Sequence, residues 1–214
     1  MKASDFLNLV EPYPAVIFDF GGVLLNVDYD LTIEALGGLS ASGDQFSLYT
    51  KKEQTEVFDL FETGRISRQE FLEELAGLLN YEGQDLTRVE DAWNAMLLDL
   101  PSQRLELIRS LREHKRLFLL SNINEIHEEV LEVRIEEGLL KEFYAQFEGI
   151  HFSHRIGKRK PTQEAFEHVL QSHQLRAEDC FFIDDSLQHV EAGRALGLRA
   201  FHLEAANSLV LGGS

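Results

Sequence analysis

One short apolar run near the N-terminus constrains the fold more than any other part of the sequence. Ala15–Phe18 contains four consecutive uncharged residues, mostly β-branched or aromatic, which is typical of a strand buried on both faces in a parallel sheet. Asp19 follows directly, and Gly21 and Gly22 then allow the main chain to approach a ligand closely. Because ligands bind beyond the carboxyl ends of parallel strands, Asp19 is a candidate site residue, although a simple turn would also explain it.

Two later apolar runs also end in polar residues. Residues 117–120 are followed by Ser121 and Asn122, and residues 180–183 are followed by Asp184 and Asp185. A hydroxyl group beside the free N–H groups of a helix start suits a phosphate oxygen. Two adjacent carboxylates at a buried strand end repel each other unless a cation or hydrogen-bond donors compensate them. The pair therefore predicts a cation nearby.

A basic turn lies between these two runs. Pro161 favours an extended backbone at Lys160 and suits the start of a helix, which we predict over residues 162–170. This places Lys160 at the mouth of a helix. We expect residues 153–159 to form a polar loop, and we interpret Lys158 and Arg159 as solvated side chains.

The remaining pattern predicts an α/β fold with a helical insertion. Shorter strands are expected at residues 149–152 and 200–203, with amphipathic helices between the strands. From residue 31 to residue 100 the apolar residues recur at helical spacing, with no convincing strand. Four or five helices are expected there, including one near residues 46–49 and one that starts at a capping box formed by Ser67 and Glu70.

Composition limits the partners. The 214 residues carry a formal net charge of −17, which disfavours nucleic acid and anionic membranes as partners. The single cysteine, Cys180, lies in an apolar run and is interpreted as part of the core. The N-terminus shows no export signal and no segment approaches the ~20 apolar residues of a membrane span, so the cytoplasm is the expected location.

The order of these motifs resembles that of the haloacid dehalogenase superfamily, whose members are mostly Mg²⁺-dependent phosphatases. An Asp, a hydroxyl residue, a Lys and an acidic pair follow one another between about residues 16 and 202. The resemblance is greatest to the sugar-phosphate and epoxide-hydrolase-like branch, in which the first motif can read Asp-x-Gly-x-Val. It implies a Rossmann-like parallel sheet with helices on both faces in residues 1–28 and 101–214. An inserted helical-bundle cap would comprise residues 29–100.

The resemblance also implies a role for each motif residue. Asp19 would be the nucleophile and Lys160 would screen it from the substrate. Mg²⁺ would be held by Asp19, the carbonyl of Gly21 and Asp185, with Asp184 as a further acid. The Ser121 hydroxyl and the main-chain amides of Phe20 and Asn122 would hold the phosphate. The partner implied is a small phosphorylated metabolite, such as a sugar phosphate; the oligomeric state is open.

Gly21 is the one departure from the superfamily pattern. Most phosphatases of the superfamily have a second Asp at this position, which acts as acid and then base. Losing such a group typically lowers the rate by about 10² to 10⁴. Asp28 and a residue of the helical insertion are candidates to replace it.

Two alternatives to a phosphatase remain open. A 2-haloacid dehalogenase also attacks with a single Asp and needs no metal, although Asp184 and Asp185 would oppose its carboxylate substrate. A non-catalytic ligand-binding module on the same fold would account for Gly21. The eight histidines show no spacing typical of a transition-metal site; His151 and His154 are nearest to the expected site in sequence.

Overall fold

A five-stranded parallel sheet forms the centre of the computed structural model, which describes residues 3–40 and 56–204. The strands lie in the order β3-β2-β1-β4-β5, and every neighbouring pair is parallel. They are β1 (Ala15–Phe18), β2 (Arg116–Ser121), β3 (Gly149–Phe152), β4 (Cys180–Asp184) and β5 (Arg199–His202). The central strand β1 is buried along its whole length, as its composition predicted.

Helices connect the strands and cover the sheet. Those before β2 are α1 (Ala3–Val10), α2 (Tyr29–Gly37), α3 (Glu56–Glu62), α4 (Arg68–Leu78), α5 (Thr87–Trp93) and α6 (Ser102–Arg112). Those after β2 are α7 (Glu125–Arg134), α8 (Glu137–Tyr144), α9 (Ser153–Ile156), α10 (Gln163–Ser172) and α11 (Leu187–Ala195). None of these eleven helices combines the length and the apolar character needed to cross a membrane.

Alternate residues of the strands point into two separate hydrophobic clusters. In β1, Val16 and Phe18 belong to one cluster and Ala15 and Ile17 to the other. The second cluster includes Phe166 of α10 and Val190 of α11. Side chains of a strand alternate between the two faces, so both faces of the sheet are covered by apolar side chains. The predicted Rossmann-like fold, with helices on both faces, is confirmed.

The helical insertion between β1 and β2 packs around aromatic side chains. The ring centroids of Phe61 and Phe71 are 4.1 Å apart, and those of Phe58 and Trp93 are 5.4 Å apart. The described residues from 31 to 100 contribute no strand to the sheet, as predicted, and Leu97 forms only an isolated bridge with Val27. The division into a core and a cap domain remains a proposal, because the larger hydrophobic cluster runs from the sheet into the insertion.

Local signals in the insertion correspond to helix boundaries. Ser67 caps α4, and Ser67 and Glu70 form the reciprocal hydrogen bonds of the predicted capping box. The helix expected near residues 46–49 lies outside the described residues. The loop expected over residues 153–159 was wrong in its first half. Residues 153–156 form the single turn α9, and Gly157 ends it with a positive φ of 68° that glycine adopts without strain.

Three histidines pack together between β3 and α10. The Nε2 atoms of His151 and His173 are 2.9 Å apart, and the ring of His168 meets that of His151 edge to face. Burial, together with the charges that His173 and His168 would carry, lowers the pKa of His151 to about 4. The cluster is therefore stable with neutral rings.

This cluster predicts a loss of stability in mild acid. The unfolded chain takes up a proton at His151 near its ordinary pKa of 6.5, whereas the folded chain does so only near pH 4. Stability is thus fully present above pH 6.5 and falls as the pH drops toward 4. We expect His151→Gln to remove about 1–2 kcal/mol of the difference in unfolding free energy between pH 7.5 and pH 5, measured by urea denaturation. His114→Gln, at an exposed site, is the control; an equal effect of both variants would contradict the prediction.

Candidate active site

The polar residues at the strand ends meet at one edge of the sheet. Asp19 follows β1, and its main-chain N–H donates to the carbonyl of Ile183 at 2.9 Å. Ser121 and Asp184 are the last residues of β2 and β4. Asp19 and Ser121 line a cavity of about 80 Å³, whereas Asp184 hydrogen-bonds to Lys160 and is not among the lining residues. The residues predicted for the site that line this cavity are Asp19, Phe20, Gly21, Ser121, Asn122, Lys160 and Asp185.

Lys160 is the buried centre of this arrangement. Its Nζ donates to Asp19 Oδ1 at 2.8 Å and to Asp184 Oδ2 at 2.6 Å, and the side chain is fully buried. The Asn122 side chain fixes the main chain of Lys160: its Oδ1 accepts from the Lys160 N–H and its Nδ2 donates to the Lys160 carbonyl, both at 2.8 Å. Asn122 therefore positions Lys160. The contact of its main-chain amide with phosphate stays a prediction.

Asp184 lies behind Lys160 and is fully buried. Besides Lys160, its carboxylate accepts hydrogen bonds from the main-chain N–H of Ser186 at 2.7 Å and from His189 Nδ1 at 3.0 Å. Burial opposes ionisation of Asp184, but the charge of Lys160 and the hydrogen bond from His189 outweigh it and lower the pKa. Asp184 is consequently a permanent anion that holds Lys160 in place.

Asp19 is in the opposite electrostatic situation. Burial raises its pKa, the negative charges of Asp184 and Asp185 raise it further, and Lys160 compensates only in part. Burial also opposes the charge of Lys160, yet Asp184 and Asp19 together raise the pKa of this ammonium group. Asp19 and Asp184 thus share one ammonium group while Asp185 adds a further negative charge, and a second cation would stabilise the ionised form of Asp19.

The three carboxylates lie close enough together to hold a cation. One oxygen each from Asp19, Asp184 and Asp185 can be chosen so that all lie within 4.8 Å of one another. Oxygen ligands of this kind suit a hard divalent cation such as Mg²⁺. Gly22 allows Asp185 to approach: a Cβ at residue 22 would lie 2.2 Å from Asp185 Oδ2.

Gly22→Ala is expected to weaken Mg²⁺ binding by more than about tenfold, because Asp185 must move away from the added methyl group. Gly22 has a positive φ of 78°, so the variant also carries backbone strain of about 1 kcal/mol. Gly157→Ala is the matched control, since φ is 68° there and the added Cβ would meet nothing within 4 Å. Mg²⁺-dependent thermal shifts of the two variants measure the difference; equal loss in both would contradict this explanation.

Arg159 corrects one of the sequence-based interpretations. The sequence predicts a solvated side chain, but Arg159 is only 17% exposed and lines the cavity beside Lys160. Its guanidinium group forms ion pairs with Asp59 and Glu62 of α3. Glu62, which is buried, lines the same cavity. The sequence next to Lys160 gave no signal for this, because both partners lie about a hundred residues earlier in the chain.

Two histidines of the cavity were also missed. His189 donates to Asp184, as described above, and His127 stacks on Trp93 with ring centroids 5.0 Å apart. His154, one of the two nearest to the site in sequence, instead bonds to the carbonyl of Ile123 and pairs with Glu128. Neither His127 nor His189 has a spacing that marks it in the sequence.

Asp28 does not line the cavity among the described residues. Its carboxylate accepts from the main-chain N–H of Asp30 and caps α2. It is exposed. This position does not support Asp28 as the acid that replaces the residue missing at Gly21.

Comparison with known proteins identifies the family. The sequence profile described as "Hydrolase: haloacid dehalogenase-like hydrolase" matches residues 13–197. The chain belongs to the haloacid dehalogenase-like hydrolases. It is similar to D-ribitol-5-phosphate phosphatase of Bacteroides thetaiotaomicron, with 28% identity over 194 residues that cover 88% of this chain and 91% of that protein. It is also similar to the sesquiterpene phosphatase AstK of Aspergillus oryzae, with 28% identity and coverage of 89% and 90%.

Solved structures of this hydrolase family have the same fold. A family enzyme from Bacteroides thetaiotaomicron, crystallised as an Asp-to-Ala variant with magnesium and inorganic phosphate, superposes with a TM-score of 0.81. It is 25% identical, and the match covers 90% of this chain and 95% of that one. An L-2-haloacid dehalogenase superposes with a TM-score of 0.63 at 17% identity, over 89% and 86% of the two chains. At that identity the likeness shows the fold alone.

Proposed function

We propose that this hydrolase is a Mg²⁺-dependent phosphatase that acts on a small phosphorylated metabolite of the sugar-phosphate class through an aspartyl-phosphate on Asp19. The observation that carries the proposal is the shared position of Asp19, Lys160 and Asp185 at one cavity. The phosphatases named among its relatives and the magnesium and phosphate bound by a similar enzyme support the same reaction.

The side chains have complementary roles in this proposal. An Asp19 oxygen attacks phosphorus and displaces the alkoxide of the ester, which leaves as the alcohol after protonation, to form an acyl phosphate. Water then cleaves this acyl phosphate, which releases inorganic phosphate and regenerates Asp19, so that one difficult displacement becomes two easier ones. Lys160 offsets the negative charge that gathers when Asp19 meets the phosphate. The Ser121 hydroxyl and the amides of Phe20 and Asn122 are proposed to bind the phosphate oxygens.

The acidic cluster fits the metal that the family uses. Mg²⁺ would be held by Asp19, Asp185 and the carbonyl of Gly21. Asp184 is hydrogen-bonded to Lys160 and would add a further negative charge next to the ion. When bound, the ion supplies positive charge that neutralises the phosphate and aligns it. The same charge would favour the ionised form of Asp19, which the protein alone disfavours.

Gly21 has no side chain that could protonate the departing alkoxide. This absence typically costs about 10² to 10⁴ in rate. We therefore expect slower turnover of alkyl phosphates than of aryl phosphates, whose leaving groups need less protonation. The helical insertion contributes Tyr29, Glu62, Met96 and Leu97 to the cavity lining. It would act as the cap that excludes water.

Assaying the purified chain against a panel of phosphate monoesters tests the proposal. Phosphate release is expected with Mg²⁺ and not with excess chelator, and borohydride quenching during turnover should reduce an acyl phosphate at Asp19 and change the mass of the peptide that contains it. Halide release from 2-haloacids in chelator would instead indicate a dehalogenase. Phosphate-ligand binding without any turnover would indicate a non-catalytic module.

A further inference from the structure

We propose that Glu62 and Arg159 bind the hydroxyl groups of the substrate and make the site selective for the monophosphate of a short polyol or sugar. This inference rests on the proposed phosphatase function and extends it to the part of the substrate that leaves. It concerns two side chains that come from different parts of the chain. Glu62 is the last residue of α3, and Arg159 directly precedes Lys160.

Their position is next to the reacting groups. Glu62 and Arg159 line the same cavity as Asp19 and Lys160. A phosphate held at Asp19 would place its organic group against the rest of the cavity wall, which includes Glu62 and Arg159. Arg159 Nε and Glu62 Oε2 lie 3.0 Å apart on that wall.

The energetics of this ion pair favour a role in binding. Both side chains are largely withdrawn from water, with 7% of Glu62 and 17% of Arg159 exposed. Desolvation of a buried ion pair commonly offsets its Coulomb attraction, and apolar replacements of similar volume are often as stable. Stability alone therefore gives little reason for a charged pair at this wall.

The chemistry of the pair selects a neutral, hydroxylated group. A carboxylate accepts hydrogen bonds from hydroxyls, and a guanidinium group donates several in a fixed geometry. Arg159 already faces two carboxylates, Glu62 and the more exposed Asp59, so the local charge disfavours a second phosphate. A hydrocarbon group would instead displace water from Glu62 and Arg159 without replacing its hydrogen bonds.

The size of the cavity favours a short chain. Its volume of about 80 Å³ corresponds to roughly five to eight water molecules. Val27, Met96 and Leu97 also line it and can contact the carbon atoms of such a group.

A matched pair of substrates tests the inference. D-ribitol 5-phosphate and n-pentyl phosphate both carry five carbons, but only the first has hydroxyl groups along its chain. We expect the wild-type protein with Mg²⁺ to prefer ribitol phosphate in kcat/KM, and Glu62→Gln to lower the ratio of the two kcat/KM values by about 10- to 100-fold. Asp59→Asn is the control, because Asp59 pairs with Arg159 but is not among the residues that line the cavity; its ratio should stay within about threefold of the wild type.

Several outcomes would overturn the inference while leaving the phosphatase proposal intact. These are a wild-type preference for pentyl phosphate, an equal fall for both substrates in Glu62→Gln, or the same change of ratio in Asp59→Asn. If neither ester is hydrolysed, calorimetric binding of ribitol 5-phosphate and of inorganic phosphate to the Mg²⁺-loaded protein still decides it. Glu62→Gln should then weaken the first at least about tenfold more than the second, and equal weakening would reject the role of Glu62.

Discussion

Asp19→Asn is expected to reduce phosphatase activity by about 10⁴-fold or more while the protein stays folded. The amide has no nucleophilic oxygen that can form the acyl phosphate, so the two-step route is lost and not merely slowed. Hydrolysis of an aryl phosphate in the presence of Mg²⁺ measures the effect. Asp91→Asn is the control, since it makes the same chemical change at an exposed carboxylate of α5.

The same variant should not lose stability in chelator at neutral pH. Burial and the nearby Asp184 raise the pKa of Asp19 in the folded protein above that in the unfolded chain. The folded state therefore binds the extra proton, and stability falls as the pH rises from about 4, where the unfolded carboxyl ionises, through the raised pKa. The amide cannot ionise, so Asp19→Asn should show a smaller fall in stability over this range.

The activity of Asp19→Asn tests the mechanism separately from its stability. Phosphatase activity above a tenth of that of the wild type would refute the role of Asp19 as nucleophile.

Lys160→Met is expected to destabilise the protein by about 3–5 kcal/mol in chelator at pH 8. The change leaves the carboxylates of Asp19 and Asp184 buried without the ammonium group that lies 2.8 Å and 2.6 Å from them. Activity should fall as well, by about 10²-fold or more, because Asp19 and a phosphate would meet without this charge. Urea denaturation and the aryl phosphate assay measure the two effects. Lys158→Met, two residues away and not at the cavity, removes the same charge as a control.

Two further measurements separate this electrostatic cause from poor packing. Without Lys160, the pKa values of both carboxyl groups must rise, so the deficit of Lys160→Met relative to the wild type should shrink as the pH is lowered toward 5. The double variant Lys160→Met/Asp184→Asn should recover part of the lost stability, since it removes one of the two uncompensated charges. A deficit that is constant with pH and unchanged in the double variant would mean that the methionine simply fits badly.

The sequence determined the framework of the fold because its main signals are local. Residues 15–18, 117–120 and 180–183 are short apolar runs, and each became a buried strand within a residue of the expected bounds. Since the carboxyl ends of parallel strands meet at one edge, the residues that follow these runs had to come together. This is why the sequence alone predicts that Asp19, Ser121 and Asp185 lie at one cavity.

Only the tertiary structure decided how the rest of the site is built. Arg159 and Lys160 are neighbours in a basic turn, yet Lys160 is enclosed by Asp19 and Asp184 while Arg159 faces α3. A charged residue in a turn is ordinarily solvated, and nothing in its own segment shows that a helix about a hundred residues earlier covers it. The side chain of Asn122 likewise hydrogen-bonds to the main chain of Lys160, which lies 38 residues later in the chain. Burial and partners of this kind depend on contacts between distant segments, which a local pattern does not contain.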